Sequence, residues 1–126
     1  MALNNPYMQY KENSVFTATP EELTLMLYNG LVKFIMQAQL AIAEENIEKS
    51  NSCMIKAQCI ITELRSTLDI KYEVSKQLDP IYEFMYSKLV DANLKKDTEI
   101  LEEVLYFAKE LRDTWTQAMK LAKNRK

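Results

Sequence analysis

Histidine occurs nowhere in the chain. Its absence removes the common general base, the commonest metal ligand and the phospho-accepting side chain of histidine phosphotransfer bundles. The Glu-x-x-His pairs of di-iron bundles are excluded on the same ground. Cys53 and Cys59 are the only thiols, and their spacing matches neither a Cys-x-x-Cys redox pair nor a metal pair. They read as reduced core thiols. Serine and threonine have no base to activate them and serve as caps or surface residues. The carboxylates, among them Glu22, Glu99, Glu102 and Glu103, fall on solvated helix faces or in first turns, where the positive end of the helix dipole favours them. These residues predict no enzyme, no metal site and no cofactor.

The chemistry that remains is recognition. Seven Met and seven Tyr are many for this length, and Met26, Met36, Tyr28, Tyr82, Tyr86 and Tyr106 fall beside the apolar stripes. Met repacks cheaply, and Tyr offers an apolar ring with a polar tip. Any one of them also suits a core or its rim, but the set predicts a groove for a partner helix. The apolar positions beside the seams make Leu25, Tyr28, Val32, Tyr82, Met85 and Tyr86 the candidate groove residues.

Helices must position them. The chain has 126 residues with one Gly and three Pro. That is enough for one domain with a sizeable core and too few turn residues for a β-sandwich. The organising stretch begins at Thr19, an N-cap, with Pro20 at the first helical position and Glu22 where a capping box requires it. Leu23, Leu27, Phe34, Ala38 and Ala41 form one stripe, and Leu25, Tyr28, Val32, Ile35 and Ile42 a second. Over half the circumference is apolar, so this helix needs cover on more than one side and is the centre of a bundle.

A second helix carries Ile47, Met54, Ala57, Ile61, Leu64 and Leu68 on its seam, broadened by Cys53 and Ile60. The third has two possible starts: Asp79 caps a helix beginning at Pro80, or Val74 to Leu78 forms an earlier turn that Pro80 kinks. Ile81, Met85, Leu89 and Ala92 then face one way. Asp97 or Thr98 caps the fourth, whose seam is Leu101, Val104, Ala108, Leu111, Trp115, Ala118 and Ala122. The expected fold is all-α, an antiparallel up-down-up-down four-helix bundle in a single domain 1–126, with helices at about 20–45, 47–68, 74–95 and 98–123.

Residues 1–18 show no helical period and only two charges, Lys11 and Glu12, yet carry Pro6, Tyr7, Tyr10, Val15 and Phe16. So many large apolar side chains predict a partly extended segment lying against the bundle. The net charge is −2, and the one basic cluster is Lys120, Lys123, Arg125 and Lys126, which suits a helix C-terminus. Nucleic acid is not an expected partner. The start has neither a basic n-region nor an apolar h-region, and no uninterrupted apolar run reaches 18 residues. The sequence thus predicts a soluble, cytoplasmic protein with no membrane insertion.

The stretch NPYMQYKENSVFTATPEELTLMLYNGLVKFI resembles the N-terminus of flagellar secretion chaperones of the FliS family. The matching positions are Asn5, Pro6, Tyr7, Tyr10, Asn13, Thr17, Pro20, Leu23, Leu27, Tyr28 and Gly30. IYEFMYSKLVDANLKKD resembles the family's Leu-Tyr-x-Tyr-Met and Leu-x-x-Ala-Asn segments, and LRDTW its ending. Ile81 stands for the usual Leu and Phe84 for the usual Tyr, and Pro80 is an added departure. The resemblance implies a cytoplasmic bundle that binds the disordered C-terminal segment of flagellin, prevents its premature polymerisation and delivers it to the flagellar type III export apparatus. It also implies a second partner, the export-gate protein. Asn5, Pro6, Tyr7 and Tyr10 join the candidate site through this resemblance, as a cover for the apolar track when flagellin is absent. The free protein is expected to be a monomer or weak homodimer. The competing expectation is a structural bundle that homodimerises through its extra apolar surface, without an export client.

Overall fold

A computed structural model describes residues 17–69 and 72–124, and these form four long helices. They are α1 (Pro20–Ala43), α2 (Ile47–Ser66), α3 (Glu73–Lys95) and α4 (Thr98–Asn124). No strand occurs among the described residues. α1 packs on α2 and α4, and α3 packs on the same two, so sequence neighbours run antiparallel around a ring and α1 stands diagonally across from α3. This is the expected bundle. α1 is long and apolar enough to cross a membrane by composition alone, and the ring explains that composition, because α1 has neighbours on two sides.

The ends are set by local chemistry. The Glu22 N–H donates to Thr19 Oγ1 at 3.2 Å, while the Thr19 hydroxyl donates to the Glu22 carboxylate at 3.2 Å. The carboxylate thus meets the hydroxyl, where a capping box would carry it to the Thr19 backbone N–H. Asn46 Oδ1 accepts from the Lys49 N–H at 3.1 Å and starts α2. Asp97, not Thr98, starts α4, accepting from the Glu99 N–H at 2.9 Å. Glu45 (φ 59°) and Lys96 (φ 51°) turn the two tight links in left-handed conformations that a glycine would adopt with less strain.

α3 begins at Glu73 and runs through Pro80. The earlier start is therefore the real one, although the Lys76 carbonyl loses its usual helical donor. Asp79 is not a cap. Its carboxylate receives Arg65 Nε at 2.9 Å and a second guanidinium nitrogen at 3.2 Å, which ties the end of α2 to the start of α3.

Leu31, Ile35 and Ala38, Met54, Ala57, Ile61 and Leu64, Met85, Leu89 and Ala92, and Leu101, Val104 and Ala108 are fully enclosed. One alanine per helix in this set lets the backbones approach closely. Two seam expectations need correction. Ile47, the first residue of α2, is 55% exposed, because it sits beyond the end of the packed ring. Ala118 and Ala122 are exposed, because Trp115 already lies level with the first turn of α1 and no described helix faces α4 beyond it.

Candidate partner-binding groove

At the end of the bundle where α1 and α3 begin, Tyr28 and Tyr82 reach towards each other across the diagonal. Their hydroxyl oxygens lie 2.5 Å apart. Burial pushes the Tyr28 phenol above its ordinary range, partly offset by the bond from Tyr82. Tyr82 is pushed further up, by burial first and then by the bond to and charge on Tyr28. Both therefore stay neutral at physiological pH. Trp115 stacks at a tilt on Tyr28, with ring centroids 6.4 Å apart. Its indole N–H donates to the Glu21 carbonyl at 3.0 Å, fastening α4 to the first turn of α1.

Above the two tyrosines the described residues leave the bundle open. A groove of about 770 Å³ opens there. α1 contributes Leu23, Met26 and Leu27 to its walls, Leu68 lies just past the end of α2, α3 contributes Val74 and Leu78 with Tyr72 just before it, and Trp115 closes one side. Glu21, Glu63 and Asp69 line it as well, and among the described residues no Lys or Arg does. The reason for the vacancy is legible in α3. Residues 75, 82 and 89 share one inward position at heptad spacing, and Ser75 is too small to fill what Tyr82 and Leu89 fill further down.

Of the residues expected to bind a partner, the structure brings Tyr28 and Tyr82 together as the groove's floor. Tyr28, Val32, Tyr82 and Met85, chosen as apolar positions beside the seams, are all buried in the core, and Val32 and Met85 do not line the groove. With α1 enclosed by α2 and α4, positions next to its seam also turn inward, and the paired hydroxyls let two tyrosines do so. Leu25 is half-buried and does not line the groove. Tyr86, 36% exposed, lies instead in a shallow depression with Thr62, Arg65, Ser66 and Asp79 on the α2–α3 face. Asn5, Pro6, Tyr7 and Tyr10 fall outside the described residues. The residues that sequence reasoning missed are Leu23, Leu27, Leu68, Tyr72, Ser75, Leu78 and Trp115. Several had the signature of seam residues, and the available signal was their place near helix ends, where the facing helix runs out.

Residues 3–122 match the family model described as flagellar protein FliS. The chain belongs to the FliS family. It is 50% identical over 119 residues to the flagellar secretion chaperone FliS of Bacillus subtilis (strain 168), covering 94% of this chain and 90% of that protein. To the flagellar secretion chaperone FliS of Escherichia coli (strain K12) it is 30% identical, covering 86% and 82% respectively. A crystal structure of a flagellar chaperone from bacteria superposes with a TM-score of 0.74 at 16% identity, covering 91% of this chain and 98% of that one, and shows the shared fold. These relatives are chaperones, and a chaperone's business is a protein client. In this FliS chain the quoted resemblances converge on one place: Leu27 and Tyr28, then Tyr82, then Trp115 all line the groove.

Proposed function

We propose that this FliS protein is a cytoplasmic export chaperone that holds the disordered C-terminal segment of flagellin, prevents its premature polymerisation and hands it to the flagellar type III export apparatus, including its gate protein. The observation that carries this reading is the apolar groove that the described residues leave open, floored by Tyr28 and Tyr82 and walled by Trp115. A segment that folds on binding must bury much apolar surface to offset its ordering, and a pre-formed track supplies that surface. The rim residues Glu21 and Glu63 suit a client with cationic side chains flanking its apolar face. Residues 1–18, with Tyr7 and Tyr10, act as a displaceable cover that lowers apparent affinity by the closed fraction.

Calorimetric titration with a peptide of the cognate flagellin's C-terminal segment tests the proposal. One-to-one binding with a large negative heat-capacity change is the expected result. A folded chain that ignores the peptide and sediments as a dimer would transfer the reading to a self-associating bundle. Removing residues 1–14 should raise binding of a hydrophobic dye, and unchanged dye binding would count against the cover.

A further inference from the structure

The wall that α3 gives to the groove is held differently from the rest of that helix. Pro80 lies about two turns into α3. It has no N–H to give the Lys76 carbonyl, and its ring crowds that carbonyl. One of the backbone bonds joining the turns before residue 80 to those after it therefore cannot form, and helices bend at such points. The start of α3 is also loosely fastened. Thr19, Asn46 and Asp97 each cap a helix with a side-chain oxygen, whereas Tyr72, in the same position on α3, makes no capping side-chain bond. Beyond Pro80 the helix is anchored by Tyr82, Met85, Leu89 and Ala92, all enclosed. Before it no apolar side chain is enclosed: Leu78 is half-buried, and Val74 and Tyr72 are 58% and 63% exposed. Among the described residues, one side-chain polar tie joins residues 72–79 to another helix, the Arg65–Asp79 ion pair. It grips the residue next to Pro80 and leaves the turns ahead of it untied.

We propose that residues 72–78 form a strap that pivots at Pro80 and closes over the client segment in the groove. The proposal rests on the chaperone reading and commits to its client, the flagellin C-terminal segment. The strap supplies Tyr72, Val74, Ser75 and Leu78 to the groove wall, and Tyr72 and Val74 keep apolar surface that a client can cover. Pivoting towards the α1 wall lays that surface on the bound segment. The gain in buried apolar area has little to oppose it, because the helix is already interrupted where it must bend and no enclosed apolar side chain has to leave the core. A few residues at an element's interruption that absorb the backbone change are the usual make-up of a hinge. The Arg65–Asp79 pair fixes the pivot end of the strap to α2, so the motion widens or narrows the groove without parting the bundle.

The test is calorimetric titration of the full chain, as wild type, P80A, V74S and P80A/V74S, with the same flagellin peptide, each beside a thermal melt. P80A restores the missing helical bond and should raise Tm by about 5 °C, since proline is the least favourable residue of a helix interior. The same variant should bind the peptide about tenfold more weakly, because its strap is held open. V74S, changed at an exposed position, should melt with the wild type and bind about fivefold more weakly. P80A/V74S should bind within about twofold of P80A, because residue 74 of a fixed strap no longer closes on the client. A more stable chain that binds less well separates a moving strap from a packing residue, whose loss lowers both. Wild-type affinity in P80A or in V74S overturns the strap, as do additive losses in the double variant. A P80A chain that melts below the wild type overturns it too, because Pro80 would then be no interruption. No binding by the wild-type chain overturns the chaperone reading, and closure over that client falls with it; the strap fails alone when the wild type binds and P80A binds equally.

Discussion

Gly30 sits in the middle of α1 with an ordinary helical backbone, so replacing it by alanine sets two opposed effects against each other. An interior helical glycine gives up about 1 kcal/mol relative to alanine, largely through the freedom of the unfolded chain. Against that gain, a Cβ at Gly30 would lie 3.2 Å from Ile60 Cδ1 on α2. The obstructing atom is the far end of a half-buried side chain rather than backbone, so a displacement of a few tenths of an ångström relieves it. An off-rotamer adjustment of that kind costs about 0.5 kcal/mol. Gly30→Ala should therefore stabilise the bundle by about 0.5 kcal/mol and raise Tm by about 2 °C. Gly30→Val adds a branched side chain that Ile60 cannot clear, and overpacking should destabilise by about 1–3 kcal/mol. Thermal and urea unfolding of the two variants beside wild type measure both. Destabilisation of 1 kcal/mol or more by alanine would refute the reasoning, because it would mean that the α1–α2 contact cannot yield.

Three further outcomes are expected. The Tyr28 and Tyr82 phenols are raised in the folded state above the unfolded value of 10.0. The stability they contribute is then fully present below pH 10 and is lost progressively as pH rises from there towards the folded values. Urea midpoints should fall above that pH in wild type and fall less in Y28F/Y82F, and parallel curves would refute the assignment. Met85→Ala, at a fully enclosed site outside the groove, should cost about 2–5 kcal/mol while leaving the affinity per folded molecule unchanged. Loss of affinity in molecules shown to be folded would put Met85 back in the binding site. Under native conditions a thiol reagent should modify exposed Cys59 rapidly and buried Cys53 only on unfolding, so two fast thiols would show that the α1–α2 interface opens readily.

Much of this protein was legible before any coordinates. The helices and their order follow from period, caps and the scarcity of Gly and Pro, because those signals act within a turn or two of chain. The absence of histidine and the family motifs are likewise properties of the sequence alone. What the residues beside the seams do was not legible. Tyr28 and Met85 look alike from either side of a seam, and only the number of neighbouring helices decides whether such positions face solvent or core. The candidate groove lay where no stripe could show it, at the end of the bundle. There Ser75 leaves an inward position underfilled, and Trp115, 94 residues along the chain, bonds to the backbone of Glu21. Sequence by itself determined the elements and the kin of this chain, because both are encoded in local or linear pattern. Tertiary structure alone decided which tyrosines meet across the diagonal and where the core stops, because a groove is a property of four helices at once.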